Sequence, residues 1–281
     1  MEKDIDREKF KEKKRAELEA LYDAVNEETL MIAEDPEKFS AYLRVQARFD
    51  RYTVTNAILL LHQFPDAQKL KTFEGWKREG ASVKRGEKSI SILEPYSYTK
   101  ADGSMGKGFR IKKLFDISQT DVRMSPAPFL TGVSSRSLLR ALLEASPVES
   151  EAADTLDHGK DAVYDQEKQK IYIRRMLEPD DFFRAAAVAI AEAQLAEQGS
   201  SQEELRTKAE AAAFMLCVKY GIDPVSFRVK MTGAAARMEI KDIKAELSEI
   251  RKTFTCIADR ADESIRVQRK AGRERGHHEE R

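Results

Sequence analysis

The sequence predicts an α+β chain: N-terminal helices with a small antiparallel sheet, then a mainly helical second half with a β-hairpin and a long C-terminal helix. Three observations carry that expectation. The apolar period changes from helical to alternating after Gly80. A second alternating pair, 162–164 and 170–173, interrupts an otherwise helical second half. Apolar residues from Ala236 to Ile265 recur at steps of four and three, as on one face of a long helix.

Taken in order, residues 8–34 are highly charged, with Leu18, Leu21, Tyr22, Val25 and Leu30 at helical spacing, and they read as one or two amphipathic helices. Pro36 can open the next helix, which buries Phe39, Tyr42, Leu43 and Val45. Thr53 to Gln63 is a strongly apolar helix ending before Pro65. Thr72 caps a short helix through Trp76, with Gly80 as its stop. Ser89 to Leu93 alternates as a strand, Ala101-Asp102-Gly103 supplies a turn, and Phe109 to Ile117 returns. Met124 to Gly132, with two prolines and no period, reads as a linker. Helices follow at 136–145, 180–198 and 202–220, the first separated from the others by the second hairpin. The organisation is thus an N-terminal extension (1–35), a first domain (36–123), a linker (124–133), a second domain (134–231), a long amphipathic helix (232–270) and a disordered tail (271–281) whose basic sequence lacks an apolar anchor.

The 281 residues are 35% charged, above the usual quarter, with 49 basic and 49 acidic side chains. Net charge names no polyanion, but its distribution does more. Lys69 to Lys113 holds twelve basic and five acidic residues, +7, whereas Ala141 to Met215 holds sixteen acidic and eight basic, −8. One half is suited to meet an anion. Cys217 and Cys256 lie in helical apolar patterns without metal-type spacing and read as buried thiols of a reducing cytoplasm. The N-terminus lacks the apolar segment of a signal peptide, and no run approaches the roughly 20 apolar residues of a membrane span. A cytoplasmic protein with no membrane partner is expected.

An unpaired nucleic-acid strand is held by cations on its phosphates and aromatic faces under its bases. The stretch from Arg51 to Lys113 offers both. Trp76, the only tryptophan, is flanked by Lys77 and Arg78; Lys84, Arg85 and Lys88 surround Gly86, where backbone N–H groups can approach a phosphate; Tyr96 and Tyr98 can face the same way. Each has a plainer reading. Trp76 suits a core anchor, the basic turn a solvated loop, and the tyrosines a cover for the sheet. Composition does not decide between them.

Three motifs in order resemble the N-terminal domain of ArdC-type antirestriction and LtrC-like mobile-element proteins. Arg51-Tyr52-x-x-x-Asn56-x-x-Leu59-Leu60 resembles the family's "YSWNNxLLI" helix. Phe73-x-x-Trp76-x-x-x-Gly80-x-x-Val83-Lys84-x-Gly86-Glu87-Lys88 resembles its "W…G…VKKGEKG" stretch, and Phe115-x-x-x-Gln119-Thr120 its closing "VFxxxQT". Thr55 and Ser89 depart from the pattern. The resemblance implies a domain that binds single-stranded DNA in a protein carried by a mobile element. Its expected contacts are Arg51, Tyr52, Asn56, Trp76, Lys77, Lys84, Arg85, Lys88, Tyr96, Tyr98, Lys112 and Lys113.

In such proteins the partner domain is commonly a zincin-like metallopeptidase, and the order of elements here is similar. The resemblance aligns Ala191-Glu192-Ala193-Gln194-Leu195 with H-E-x-x-H, so both metal-binding histidines are absent. His62, His158, His277 and His278 all lie elsewhere. Glu192 and Glu210 are left as degenerate remnants. The implied domain is a catalytically inactive scaffold without metal or other cofactor, available to a host or element protein. The rival expectations are a metallopeptidase with an unorthodox site on Glu192 and Glu210, and an interaction protein that self-associates through 236–265.

Overall fold

A computed structural model describes residues 2–100, 102–122, 133–156, 159–196, 202–231 and 238–279, with the side chains of 2–7, 10, 202–204 and 272–279 left aside. The linker segment 124–132 lies outside the described residues, as do His158 and Ala236. No described helix is long and apolar enough to cross a membrane.

The N-terminal part is α1 (Glu2–Glu34), α2 (Pro36–Arg48), α3 (Val54–Gln63), β1 (Leu70–Lys71), α4 (Phe73–Arg78), β2 (Ile90–Thr99) and β3 (Met105–Asp116). Caps set the boundaries: the Asp35 side chain accepts from the Glu37 N–H, Thr53 from Asn56, and Thr72 from Gly75. The sheet has order β1-β3-β2, all antiparallel, so β2 is an edge. Helix α3 covers that edge with side chains. Asn56 Nδ2 donates to the Leu93 carbonyl (3.0 Å) while its Oδ1 accepts from the Leu93 N–H (2.9 Å). Two turns on, Gln63 makes the same pair of bonds to Ser91, each 2.9 Å. The N–H groups of 91 and 93 therefore point outward from the sheet, and Pro95, next in that series, costs the ladder no donor. The strands run longer than their alternation suggests because this proline sits harmlessly on the edge.

The C-terminal part is α5 (Ser135–Glu144), β4 (Glu149–Ala153), β5 (Ala162–Asp165), β6 (Lys170–Arg174), α6 (Pro179–Ala196), α7 (Gln202–Tyr220) and α8 (Ile240–Glu279). The expected hairpin is present as β5 and β6. Strand β4 joins it in parallel with β6, an element that its Glu-Ser-Glu-Ala-Ala sequence hides because those residues are poor strand formers. The small-residue face of α6 packs against α7, with Ala186, Ala187, Ala191, Ala211 and Ala212 fully buried. The α8 seam from Ile243 through Leu247, Ile250, Phe254, Ile257 and Ala261 to Ile265 is also buried, against α1, α3, α5, α6 and α7. Within the 236–265 segment expected to offer a self-association seam, these described seam residues are packed into the chain's own core. The helix also continues to Glu279 where composition suggests a disordered tail, since a helix anchored at one end extends at one hydrogen bond per added residue.

The two parts share one core, and polar contacts fasten them. Lys219 on α7 pairs with Asp50 (2.8 Å) and with Asp262 on α8 (3.3 Å), while the Tyr220 hydroxyl donates to Asp262 (2.7 Å). Burial opposes the Lys219 charge, but the Asp50 hydrogen bond and both carboxylates outweigh it and hold its pKa above the ordinary lysine value. Burial pushes the Cys217 thiol up to about 12, that of an unreactive core cysteine.

Candidate nucleic-acid interface

The residues expected to contact a strand divide into three groups. The first is structural. Trp76 is 2% exposed, packed with Ala81 and Ile117, and its Nε1–H donates to the Phe115 carbonyl (2.8 Å). It anchors α4 to the sheet and offers no face to a base. Asn56 is 7% exposed and fully engaged with Leu93. Arg51 is exposed but forked onto Asp259 of α8. Each was expected from its residue type; burial or a partner distant in sequence already engages its polar atoms.

The second group is the basic turn. Gly86 has φ +89°, a conformation that favours glycine. The turn is pinned from behind by the closing motif: the Lys84 N–H donates to the Gln119 carbonyl (2.9 Å), Lys84 Nζ to the Ser118 carbonyl (2.9 Å), and Gln119 Nε2 to the Lys88 carbonyl (2.9 Å). Lys84, Arg85 and Lys88 remain exposed, as does Lys77. Asp116 organises the same corner. Burial opposes its charge, but N–H groups of Ser118, Gln68 and Lys69 outweigh that cost and hold its carboxyl below the ordinary range.

The third group lies on one face of the β2–β3 hairpin. Its register pairs Ile92 with Lys112, Glu94 with Arg110, Tyr96 with Gly108 and Tyr98 with Gly106, so these residues share a side of the ribbon. At the body end this face opens into a groove of about 680 Å³ lined by Tyr52, Lys71, Arg78, Glu79, Glu94 and Lys112, among others. Lys71 and Lys69 pair with Glu79, and Arg110 and Lys112 with Glu94, so each carboxylate answers two cations. Burial and then the charges of Lys69 and Arg78 press the Lys71 pKa downward, as expected in a locally positive field. Lys113 faces the other way, onto Glu17 and Ser91. At the outer end the tyrosines stand exposed. The structure thus joins Tyr52, Lys112, Tyr96 and Tyr98 with Lys71 and Arg110, which reasoning from sequence left out, and with Arg78, which it named beside Trp76 but did not count among the contacts; the hairpin register was the signal for Arg110. It does not bring the basic turn to this face: Ser89 and Tyr96 are seven strand residues apart, about 23 Å.

In the second half, Glu192 on α6 lines a cavity together with residues of the β5–β6 hairpin and Arg206, and the Arg206 guanidinium bridges it (2.9 Å) to Glu210 (2.8 Å). Burial raises the Glu192 pKa, with Arg206 opposing. Ala191 and Leu195, the positions that the sequence resemblance aligns with histidines, are fully buried apolar residues. Among the described residues no group of three or more His, Cys, Asp or Glu side chains could hold a metal ion. A catalytic divalent cation does not fit here: imidazoles are missing and a guanidinium already lies between the two carboxylates. His62, by contrast, lies at 3.3 Å from Glu28 in the N-terminal part.

A helical protein with a small antiparallel sheet, a basic and aromatic β-arm and a long closing helix is the class these features define. Residues 19–123 match the family model described as the N-terminal domain of anti-restriction factor ArdC. Over 75% of this chain and 85% of the other, the fold is similar to that of the antirestriction protein ArdC from the R388 plasmid in its metal-free structure, with TM-score 0.50 and 15% identity. The Mn(II)-bound structure of the same protein gives TM-score 0.48 at the same identity and coverage. Residues 19–123 are thus similar to the N-terminal domain of ArdC, and the fold is similar to that of the metal-free ArdC structure. The uncharacterized protein pXO2-81 of Bacillus anthracis is 30% identical over 88 residues, 31% of this chain, and the chain spans only 15% of that protein's length.

Proposed function

We propose that this chain is an antirestriction-like accessory protein of a mobile genetic element, acting in the cytoplasm, whose N-terminal domain binds single-stranded DNA. The observation that carries the reading is the exposed aromatic and cationic face of the β2–β3 hairpin inside a domain of the ArdC type. The groove cations hold phosphates and the tyrosines take bases; the exposed turn at Lys84–Lys88, off this face, adds to the positive field that draws the strand in. Fluorescence anisotropy with a single-stranded oligonucleotide tests this. Neutralising about four phosphates gives a log–log salt slope near −2.8, hence a roughly 50-fold loss of affinity between 50 and 200 mM salt. No binding at 50 mM, or affinity indifferent to salt, refutes it.

The C-terminal domain is, on this reading, a scaffold for a host or element protein and not an enzyme. Arg206 between Glu192 and Glu210 favours that over a metallopeptidase with an unorthodox site. Stoichiometric metal in protein purified without chelator, lost in Glu192→Gln, would reverse the assignment.

A further inference from the structure

Two tyrosines and two glycines face each other at the outer end of the hairpin, Tyr96 opposite Gly108 and Tyr98 opposite Gly106. The rings lie over the glycine backbone. A Cβ at Gly106 would stand 2.5 Å from the Tyr98 ring, and one at Gly108 would stand 3.0 Å from the Tyr96 ring. No other residue type at 106 leaves room for a ring in that place. With one face laid on backbone, each ring turns its other face to solvent: Tyr96 is 41% and Tyr98 44% exposed, while Gly106 beneath is buried. The ring centroids are 5.8 Å apart and tilted by 40°. That spacing exceeds the roughly 3.4 Å rise between stacked bases of a duplex strand. Each ring can therefore take its own base only if the bases have been drawn apart. The phosphates of such a strand would run toward Arg110 and Lys112 on the same ribbon face.

We infer that Gly106 and Gly108 are positioning residues of a two-base stacking platform, leaving room for Tyr98 and Tyr96 to lie over the strand so that the hairpin accepts consecutive unstacked bases and rejects duplex. This rests on the nucleic-acid reading above. The alternative role for the pairs is repair of the strand, each ring merely covering backbone that glycine leaves bare. In that role any apolar side chain that covers the glycine serves.

The two roles separate by measurement on the full chain. Anisotropy with a labelled oligothymidylate is compared for the native protein, Tyr98→Phe, Tyr98→Leu and Gly106→Ala, with thermal unfolding of each. Stacking on one base contributes about 1–3 kcal/mol, or 5- to 150-fold. Tyr98→Phe should bind within about twofold of native. Tyr98→Leu and Gly106→Ala should each weaken binding by at least about fivefold at temperatures where both are folded, and duplex of the same length should compete poorly. Native protein that binds the strand while Tyr98→Leu binds equally well overturns the platform and leaves the broader function standing, as does equal competition by duplex. Native protein that binds no strand overturns both. Should Gly106→Ala not fold, the Tyr98→Phe and Tyr98→Leu pair still decides.

Discussion

Replacing Asn56 by alanine removes both side-chain bonds to Leu93 and leaves a backbone N–H and C=O on the β2 edge without partners. Each such group, when buried, costs about 1–3 kcal/mol. Leu93 is buried, but it also borders the open groove, so water reaches part of this edge and the lower end of the range applies. The expected loss is about 2–3 kcal/mol, a sizeable share of the ~5–15 kcal/mol of a typical domain. Urea unfolding followed by circular dichroism measures it through the midpoint. Asn56→Asp should do no better: its carboxylate still accepts from the Leu93 N–H but faces the carbonyl oxygen without a proton to give. Strand affinity, measured where both proteins are folded, should remain within about twofold of native. A loss below about 0.5 kcal/mol, or a large loss of affinity at full foldedness, shows the edge-capping argument to be mistaken.

Four further measurements test other parts of the structure. Trp76 is the sole tryptophan and is buried, so its emission should be that of an apolar site and should not be quenched by a saturating oligonucleotide; strong quenching would place a base on it. Arg206→Ala should destabilise by about 1–2 kcal/mol, the buried-pair cost discounted because the arginine is half exposed, and most of that should return in Arg206→Ala/Glu192→Gln; an additive double variant refutes the coupling. The same carboxylate gives a pH signature. Its folded pKa is raised above the ordinary 4.5, so the folded state binds the proton more tightly and stability falls as pH rises through the window above 4.5. Glu192→Gln should flatten that segment of the stability curve. Asp116 acts with the opposite sign: its folded pKa is depressed, so its contribution is present above 3.8 and is lost as pH falls below it, and Asp116→Asn should remove this acid-side slope without affecting the Glu192 window.

What was legible from sequence alone was whatever repeats locally. The helices from α2 to α7, the two hairpins and the α8 seam follow from spacing of 3.6, 2 or 3.5 residues and from caps and glycines adjacent in the chain. The three family motifs were legible too, because they are short. Their physical work, however, lies in contacts between segments: Trp76 reaches Phe115, Asn56 reaches Leu93, and Gln119 holds the turn at Lys88. A residue type tells that tryptophan stacks or that asparagine bonds; only the packed fold says to what. For these residues the partner is the protein itself. The hairpin register decided the rest, by setting Tyr96 and Tyr98 over glycines and Arg110 and Lys112 beside them, and by leaving the cations of the Lys84–Lys88 turn at the far end of the strand. Pattern within a segment is a property of backbone geometry and is written in the chain; which faces meet is set by burial and pairing between segments far apart in sequence, and exists only once the chain has folded.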